Sequence, residues 1–514
     1  MIYSLQNIVY SPEETGALAR AIAPALRAGD VVALRGDLGA GKTVFARELV
    51  NALTPPGQEI EVTSPTFPMV QFYELPSVNV AHFDLYRMND PAELEELGFA
   101  DALGPCVVLV EWPERAESDL PEARLDISIA AGADKEERVF LLEGRGSWAE
   151  RLRRLEQIAV FLDLAGWATA ERRHLHGDAS TRLFQRLEQS GQRAILIDAP
   201  KQPDTPALRD GKSYRELVHS NDGATAFIAI DGVLRKHGFA APEILFADAE
   251  QGLLLVEDFG SDEIVRGKPP APMIDRYKAC IDVLVKVAGE HWPRTVRVGE
   301  DFDYDIPQFD DVALLTEAEL IVHWFAAAFS ETPLGEDAPI TFADAWADAF
   351  MLLHDDPHTL ALRDFHSPNV IWRGDRAGIQ KVGLIDFQDA VLTHPAYDLV
   401  SLLQDARVDI SAEVERDLLA YYVKQAGRLE GFNEAHLRRA YAIMGAQRNC
   451  KLLGLFVRLA KRDAKAGYLR HLPRIAAYLK RNLDHAALAP LRIWFERNLP
   501  IALDADKLRM KETA

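Results

Sequence analysis

The stretch RGDLGAGKTVFARELV, Arg35 to Val50, contains G-x-x-x-x-G-K-T from Gly36 to Thr43. Glycines at 36, 39 and 41 allow successive backbone N–H groups to surround phosphate oxygens. A helix starting at Lys42 adds the partial positive charge of its N-terminus. In that setting Lys42 reaches the β and γ phosphates and Thr43 ligates Mg²⁺. The metal needs more oxygen ligands and an attacking water needs orientation, so acids are expected at the ends of neighbouring strands. Two are present, Asp84 in VAHFDLYR and Glu111 in VVLVEWPE.

A second set of residues stands far down the chain. In LRDFHSPNVIW, Leu362 to Trp372, four residues separate Asp364 from Asn369, and in GLIDFQDA an apolar run delivers Asp386. Phosphotransferases of the kinase type need this set. One Asp accepts the proton of the substrate hydroxyl, while an Asn and another Asp hold the metals that bridge the phosphates. HPAYDLVSLL, with Asp398, follows.

The elements that position the first set alternate apolar strands with helical patterns: Val31 to Leu34, a helix from Lys42 to about Ala52, then strands near Phe67 to Tyr73, Val78 to Phe83 and Val107 to Val110. This alternation predicts an α/β sheet, with Leu125 to Ala130 and Val139 to Glu143 closing its edge. From Trp148 the pattern changes to a helical stripe of Leu152, Leu155, Ile158, Leu162 and Ala165. The boundary is therefore placed near Glu150, giving domains 1–150 and 151–514. The second begins with strands at Ala194 to Ile197 and Leu253 to Val256 and becomes helical by about Pro272. RGKPPAPM, Arg266 to Met273, reads as a loop, and Glu413 to Leu499 as helices almost throughout. A chain of 514 residues is too long for one core.

The net charge of -22 is uneven: residues 1–150 hold 11 Lys plus Arg against 25 Asp plus Glu. That segment does not bind nucleic acid through its overall field. Between Arg428 and Arg481, 13 Lys plus Arg face three acids, which reads first as solvated helix faces. Three scattered cysteines suit a reducing compartment and argue against a disulfide framework or zinc site. The N-terminus lacks a signal-peptide pattern and no apolar stretch of about 18 residues stands out, so a cytoplasmic protein with no membrane segment is expected.

GDLGAGKT, SPTF (Ser64 to Phe67), HFDLYR (His82 to Arg87), ELGF (Glu96 to Phe99) and VEWPE (Val110 to Glu114) together resemble the TsaE family. These are the small P-loop ATPases of bacterial threonylcarbamoyladenosine tRNA modification, and the likeness covers roughly Met1 to Arg145. It implies ATP and Mg²⁺ as cofactors, TsaB- and TsaD-like proteins as partners, and tRNA reached only through them. Position by position it implies that Gly36, Gly39, Gly41, Lys42 and Thr43 hold phosphates and metal. Thr66 falls in a switch-like segment, Asp84 and Glu111 act around Mg²⁺ and water, and Trp112 packs near the nucleotide base. A plain core role for Trp112 stays open.

GDASTRLF (Gly177 to Phe184), ILIDAP, LLLVEDFG (Leu253 to Gly260), LRDFHSPNV and YDLVSLLQDA resemble the aminoglycoside phosphotransferase superfamily, and within it the AmgK-type amino-sugar kinases. The likeness runs from about Leu155 to Asn498. It implies an α+β protein-kinase-like domain with a helical C-terminal lobe, using ATP and Mg²⁺ to phosphorylate N-acetylmuramate or N-acetylglucosamine at the anomeric hydroxyl. Gly177, Ser180 and Thr181 would lie over the phosphates, Glu257 and Phe259 beside adenine, Asp364 would be the catalytic base, and Asn369 and Asp386 the metal ligands. Two positions depart from the pattern. Leu362 stands where a His or other polar residue usually braces the catalytic loop, and RAILIDAPK shows no phosphate-pairing lysine on its strand, Lys201 reading as an exposed loop residue. Two other readings stay open: an inactive kinase-like scaffold, and a kinase for choline, an aminoglycoside or another hydroxyl acceptor.

Overall fold

The structure is a computed structural model that describes the chain except residues 56, 77, 91–92, 176–181, 204, 222, 300–301 and 513–514 and the side chains of 510–512. It divides into two compact units, Met1–Asp198 with Leu245–Leu255, and Ala199–Ile244 with Val256–Ala514.

The first unit opens with a seven-stranded sheet built from β1 (Ile2–Val9), β2 (Val31–Arg35), β3 (Val70–Tyr73), β4 (Asn79–Asp84), β5 (Cys106–Glu111), β6 (Leu125–Ala131) and β7 (Arg138–Arg145). Its order is β1-β7-β6-β2-β5-β4-β3. Strands β2, β4 and β5 pair in parallel, and β5 is buried along its whole length, which is why it reads as an unbroken apolar run. The edge differs from expectation. β6 lies inside the sheet, and the edge beyond β7 is β1, paired antiparallel from Ile2 opposite Arg145 to Val9 opposite Arg138. Its burial alternates from residue to residue, the signature of an edge strand covered on one face. Helix α1 (Pro12–Ile22) is capped by Ser11, whose side chain accepts from the Glu14 N–H, and α2 (Lys42–Ala52) starts directly from the glycine-rich turn. Both feed the core that contains Ala19, Ile22, Phe45 and Leu49.

Helix α3 (Ser147–Leu164) serves two cores. Trp148 and Leu152 join the core of the seven-stranded sheet. Two turns later Ile158, Phe161 and Leu162 pack on a five-stranded sheet through Leu187, Ala194 and Leu196. That sheet comprises β8 (Glu171–Leu175), β9 (Leu183–Gln189), β10 (Gln192–Asp198), β11 (Ile244–Asp248) and β12 (Leu253–Glu257), in the order β11-β12-β10-β9-β8. Asp198 shares a strand face with Ala194 and Leu196, the face that α3 covers, and its carboxylate accepts from Arg154 of α3 at 2.6 Å. The acid on this strand therefore has a structural partner.

The second unit holds α4 (Ala224–Lys236), α5 (Ile274–Gly289), α6 (Asp311–Ala318), α7 (Ala338–Met351), α8 (Ala396–Leu403), α9 (Ala412–Ala426), α10 (Glu434–Arg462), α11 (Leu472–Leu483) and α12 (Ala489–Asn498). Between them stand short strands β13 (Thr359–Ala361), β14 (Val370–Trp372), β15 (Val382–Leu384) and β16 (Val391–Thr393). The expected loop at Arg266 to Met273 is a small hairpin, Val265–Arg266 against Ala271–Pro272. Contrary to the reading that no such stretch exists, the 19-residue helical run Asp311–Phe329 is long and apolar enough to cross a membrane, but 56% of its apolar window is buried inside the protein. The run contains Glu317, a buried carboxylate that pairs with Arg363 and Lys451.

Because α3 is one continuous helix, Trp148→Ala should cost about 3–5 kcal/mol, the usual loss for emptying a buried aromatic site. Hydrogen exchange should then quicken both in β1 and β7 and in β9 and β10. Faster exchange confined to the first sheet would show that the helix does not link the cores.

Candidate active sites

In the first site, β2 delivers the chain to a turn whose glycines all take left-handed backbone: Gly36 at φ 139°, Gly39 at 80° and Gly41 at 112°. At Gly36 a side chain is also excluded by space, since a Cβ would come within 2.4 Å of the Ile129 carbonyl oxygen, whereas at Gly39 and Gly41 it would meet open space. The buried Lys42 ammonium donates to the carbonyls of Gly36 at 2.7 Å and Asp37 at 3.0 Å, and lies 3.7 Å from the centre of the Trp112 ring. Burial pushes its pKa down, and Glu111, Glu114, Asp84 and Asp37 oppose that shift.

The strand register puts Asp84 opposite Glu111, and Glu111 opposite Leu34, so both acids surface beside the turn. Thr43 donates its hydroxyl to Glu111 Oε2 at 3.1 Å. Asp84 Oδ2 accepts from Thr66 Oγ1 at 3.0 Å and from Ser64, and Asp84 Oδ1 from the Tyr86 N–H at 3.1 Å. His82 Nε2 lies 3.0 Å from Glu111 Oε1 and is fully buried. His82 and Ser64 belong to the quoted motifs but had no role assigned; period-two spacing puts His82 on the same strand face as Asp84, which is the signal that could have found it. Trp112 has φ 59° and packs partly on the core beside Val110, with the Tyr86 ring 5.0 Å away.

The second site lies on a strand hairpin. β14 pairs antiparallel with β15 in the register Val370 opposite Leu384, so Asn369, just before one strand, faces the start of the loop that follows the other. Asn369 Nδ2 lies 3.3 Å from Asp386 Oδ2 and donates to the Asp364 carbonyl at 3.0 Å, which brings all three residues together. Gln388 donates to Asp386 Oδ1 at 3.2 Å. Arg363 and Asp386 are both non-glycine residues with left-handed backbone, φ 68° and 61°. Strain of this kind persists only where the surroundings over-determine it. Phe387, beside Asp386, stacks on Phe227 of α4 at 4.7 Å.

The surroundings supply the brace that Leu362 lacks. Asp398 of α8 accepts from the backbone N–H of Leu362 at 2.6 Å and of Arg363 at 3.0 Å. The Arg363 carbonyl accepts from Ser401 at 3.2 Å and from Arg448 of α10 at 2.9 Å. The Arg363 guanidinium pairs with Glu317, which also takes Lys451 of α10 at 2.7 Å. Arg448 reaches Asp364 Oδ1 at 3.4 Å. Burial alone would raise the Asp364 pKa, but Arg448, Lys451, His366 and Arg363 outweigh it and hold the carboxyl well below its usual range. Its side chain is still 38% exposed. Glu317, Arg448 and Lys451 were missed in the sequence because they come from other helices at separations that no motif spans.

Glu257 accepts from Arg373 at 2.9 Å, and the Arg373 guanidinium lies over the Phe259 ring at 4.0 Å. A Cβ on Gly383 would come within 2.7 Å of that ring, so the glycine admits Phe259 beside the catalytic hairpin. Lys201 is exposed, and Gly177, Ser180 and Thr181 lie outside the described residues.

The two sites thus define a P-loop nucleotide-hydrolysing domain followed by a kinase-like phosphotransferase. The family model for threonylcarbamoyl adenosine biosynthesis protein TsaE matches residues 9–140, and that for the phosphotransferase enzyme family matches residues 171–438. An N-acetylmuramate/N-acetylglucosamine kinase of Caulobacter vibrioides is 36% identical over 67% of this chain and 96% of its own. Its counterpart in Pseudomonas putida is 29% identical over 63% of this chain and 91% of its own. A tRNA threonylcarbamoyladenosine biosynthesis protein TsaE of Rickettsia conorii is 40% identical over 24% of this chain and 68% of its own. The chain belongs to the TsaE family through its first part and to the phosphotransferase enzyme family through its second, a bifunctional fusion of two ATP-using enzymes.

Arg448→Met should lower the turnover of the second enzyme about 10–100-fold, as removal of an orienting partner commonly does, with Arg448→Lys recovering part of it. Steady-state kinetics of the folded variants checks this; unchanged turnover would mean that Asp398 and Ser401 hold the loop by themselves.

Proposed function

We propose that the first domain hydrolyses ATP in support of threonylcarbamoyladenosine modification of tRNA adenosine 37, working with TsaB- and TsaD-like proteins, and that the second phosphorylates an amino sugar. The second domain's acceptor is read as N-acetylmuramate or N-acetylglucosamine, phosphorylated at the anomeric hydroxyl. We set the boundary between the domains near Glu150, in the first turn of α3.

At the first site the donor set fits a nucleotide and a hard divalent cation. The glycines turn backbone N–H groups outward, Lys42 is a buried cation at the head of the turn, and the side chains of Thr43 and Glu111 offer only oxygens. Thr43 and Glu111 would hold Mg²⁺, while Asp84, steadied by Ser64 and Thr66, would orient the attacking water. Trp112, resting on Lys42, would stand beside the bound nucleotide.

The observation that carries the kinase reading is an ionised, accessible Asp364 beside the Asn369–Asp386 pair. Asp364 takes the proton from the acceptor hydroxyl as its oxygen bonds to the γ phosphorus, and the bond to the β-phosphate oxygen breaks to release ADP. Asn369 and Asp386 would hold Mg²⁺, whose charge supports the phosphates in flight. Glu257 and Phe259 would flank adenine. Retention of this trio favours a working kinase over a scaffold.

In the full chain, Asp364→Asn should keep Mg²⁺·ATP binding yet slow sugar phosphorylation by roughly 10²–10⁴-fold. Asp386→Asn should instead weaken metal-dependent nucleotide binding. Identical phenotypes in the two variants, or no transfer by the wild type to any amino sugar, choline or aminoglycoside, would retire the kinase reading. Lys42→Ala should abolish ATP hydrolysis by the first domain while the sugar kinase persists, because the sites share no ligand; loss of both activities in folded protein would contradict this. Residues 1–150 carry a strong excess of acid, so a Lys42-competent chain should need its protein partners to engage tRNA at physiological salt. Tight binding of tRNA by the chain alone, unaffected by removing the cations between Arg428 and Arg481, would contradict that route.

A further inference from the structure

Helix α10 carries part of the basic stretch between Arg428 and Arg481, and one of its faces is cationic beyond what the catalytic loop uses. Arg448, Lys451 and Arg458 recur at spacings of three and seven, which on a helix puts them within one flank. Arg448 meets Asp364 and Lys451 meets Glu317, so this flank is turned toward the catalytic centre. Arg458 continues it about 10 Å further along the axis from Lys451.

Unlike the other two, Arg458 has no carboxylate within ion-pair distance among the described residues. Its guanidinium lies 4.9 Å from the centre of the Tyr214 ring, and its Nε is buried without a hydrogen-bond partner. Tyr214 belongs to the same neighbourhood, because its hydroxyl feels the charges of Glu317, Lys451, Arg458 and Arg363, although burial is the main cause that lifts its pKa to about 12. Burial likewise pushes the Arg458 pKa down, and the opposing pull of Tyr214 and Asp463 does not outweigh it. A guanidinium without a carboxylate partner, and with its buried Nε donor idle, costs stability unless a ligand completes it, and its planar fork matches a carboxylate.

We propose that Arg458, backed by Tyr214 and Lys451, forms a subsite that binds the carboxylate of an acidic acceptor and so sets the preference of the kinase among amino sugars. The inference rests on the amino-sugar reading above. N-acetylmuramate carries a lactyl carboxylate and N-acetylglucosamine does not, so the two sugars differ in the one group that this subsite recognises. Arg458 is a specificity residue here; it takes no part in proton or phosphoryl transfer.

The test is the ratio of kcat/KM for N-acetylmuramate to that for N-acetylglucosamine in the full chain, with Mg²⁺·ATP saturating. Arg458→Gln should lower this ratio 10–100-fold, chiefly through the KM for N-acetylmuramate, whereas Arg458→Lys, which keeps the charge, should lower it less than the Gln variant does. Circular dichroism and ADP binding identify variants that fail to fold; if the Gln variant does, the Lys variant with a raised KM for N-acetylmuramate only still supports the subsite. An unmoved ratio, or equal losses on both sugars in a folded variant, overturns the subsite while leaving the kinase reading intact. A wild type that phosphorylates neither sugar removes the reading and the subsite together.

Discussion

Glu317 is a carboxylate buried in the helical lobe and shared by Arg363 of the catalytic loop and Lys451 of α10. Burial would raise its pKa, but Lys451 and Arg363 outweigh the penalty and keep it ionised. Tyr397 and Gln447 add longer hydrogen bonds to the same group. A buried anion of this kind is tolerable only while its partners stay in place, so it fixes α6, the catalytic loop and α10 relative to one another. Arg363, held by its side chain through Glu317 and by its backbone through Asp398, Ser401 and Arg448, can then keep its left-handed conformation. Asp364, the next residue, inherits both its position and its ionised state from this arrangement.

The two sites meet the same requirement by different routes. In the first, a parallel sheet does the positioning: three strands in fixed register end together, and Thr43, Asp84 and Glu111 fall beside the glycine turn without long-range ion pairs. In the second, short strands supply only the Asn369–Asp386 pairing, and Asp364 depends on helices that arrive much later in the chain. A sheet transmits register through backbone hydrogen bonds, whereas loops must borrow rigidity from side chains.

That difference decides what the sequence could disclose. The glycine turn, its strand-end acids and the Asp364, Asn369 and Asp386 trio are local patterns, and each was legible because the residues stand at spacings that one strand or one turn imposes. Strand β1 was not: its residues alternate mostly between exposed and half-buried, and nothing in IYSLQNIV identifies β7, over 120 residues away, as its partner. The same holds for Leu362. The sequence shows a missing polar group, but the compensating Arg448 lies in a helix whose cations read as solvated. Composition records that charges are present and cannot record that Arg448 is buried and that Lys451 is paired with the buried Glu317. The run Asp311–Phe329 escaped notice for a related reason, since the acids at 311, 317 and 319 interrupt an otherwise apolar pattern, and only the fold reveals Glu317 as a paired, interior group.

Helix α3 bears on what a domain means in this chain. The boundary proposed near Glu150 falls in a helix whose first turns complete one core and whose last turns complete another. Arg151 adds a two-pronged contact to Asp30 on one side, and Arg154 a contact to Asp198 on the other, only three residues apart. The compact unit that contains the P-loop sheet accordingly runs on through β10 instead of stopping at the last strand of that sheet. A chain cut at the chemical boundary would begin inside α3 and lose the turn that anchors Trp148, leaving Ile158, Phe161 and Leu162 on a helix with one frayed end. Short helices stripped of a tertiary partner are marginal in water. The unit of chemistry and the unit of folding therefore do not coincide here, and the kinase's first sheet takes part of its packing from a helix that the P-loop domain holds in place.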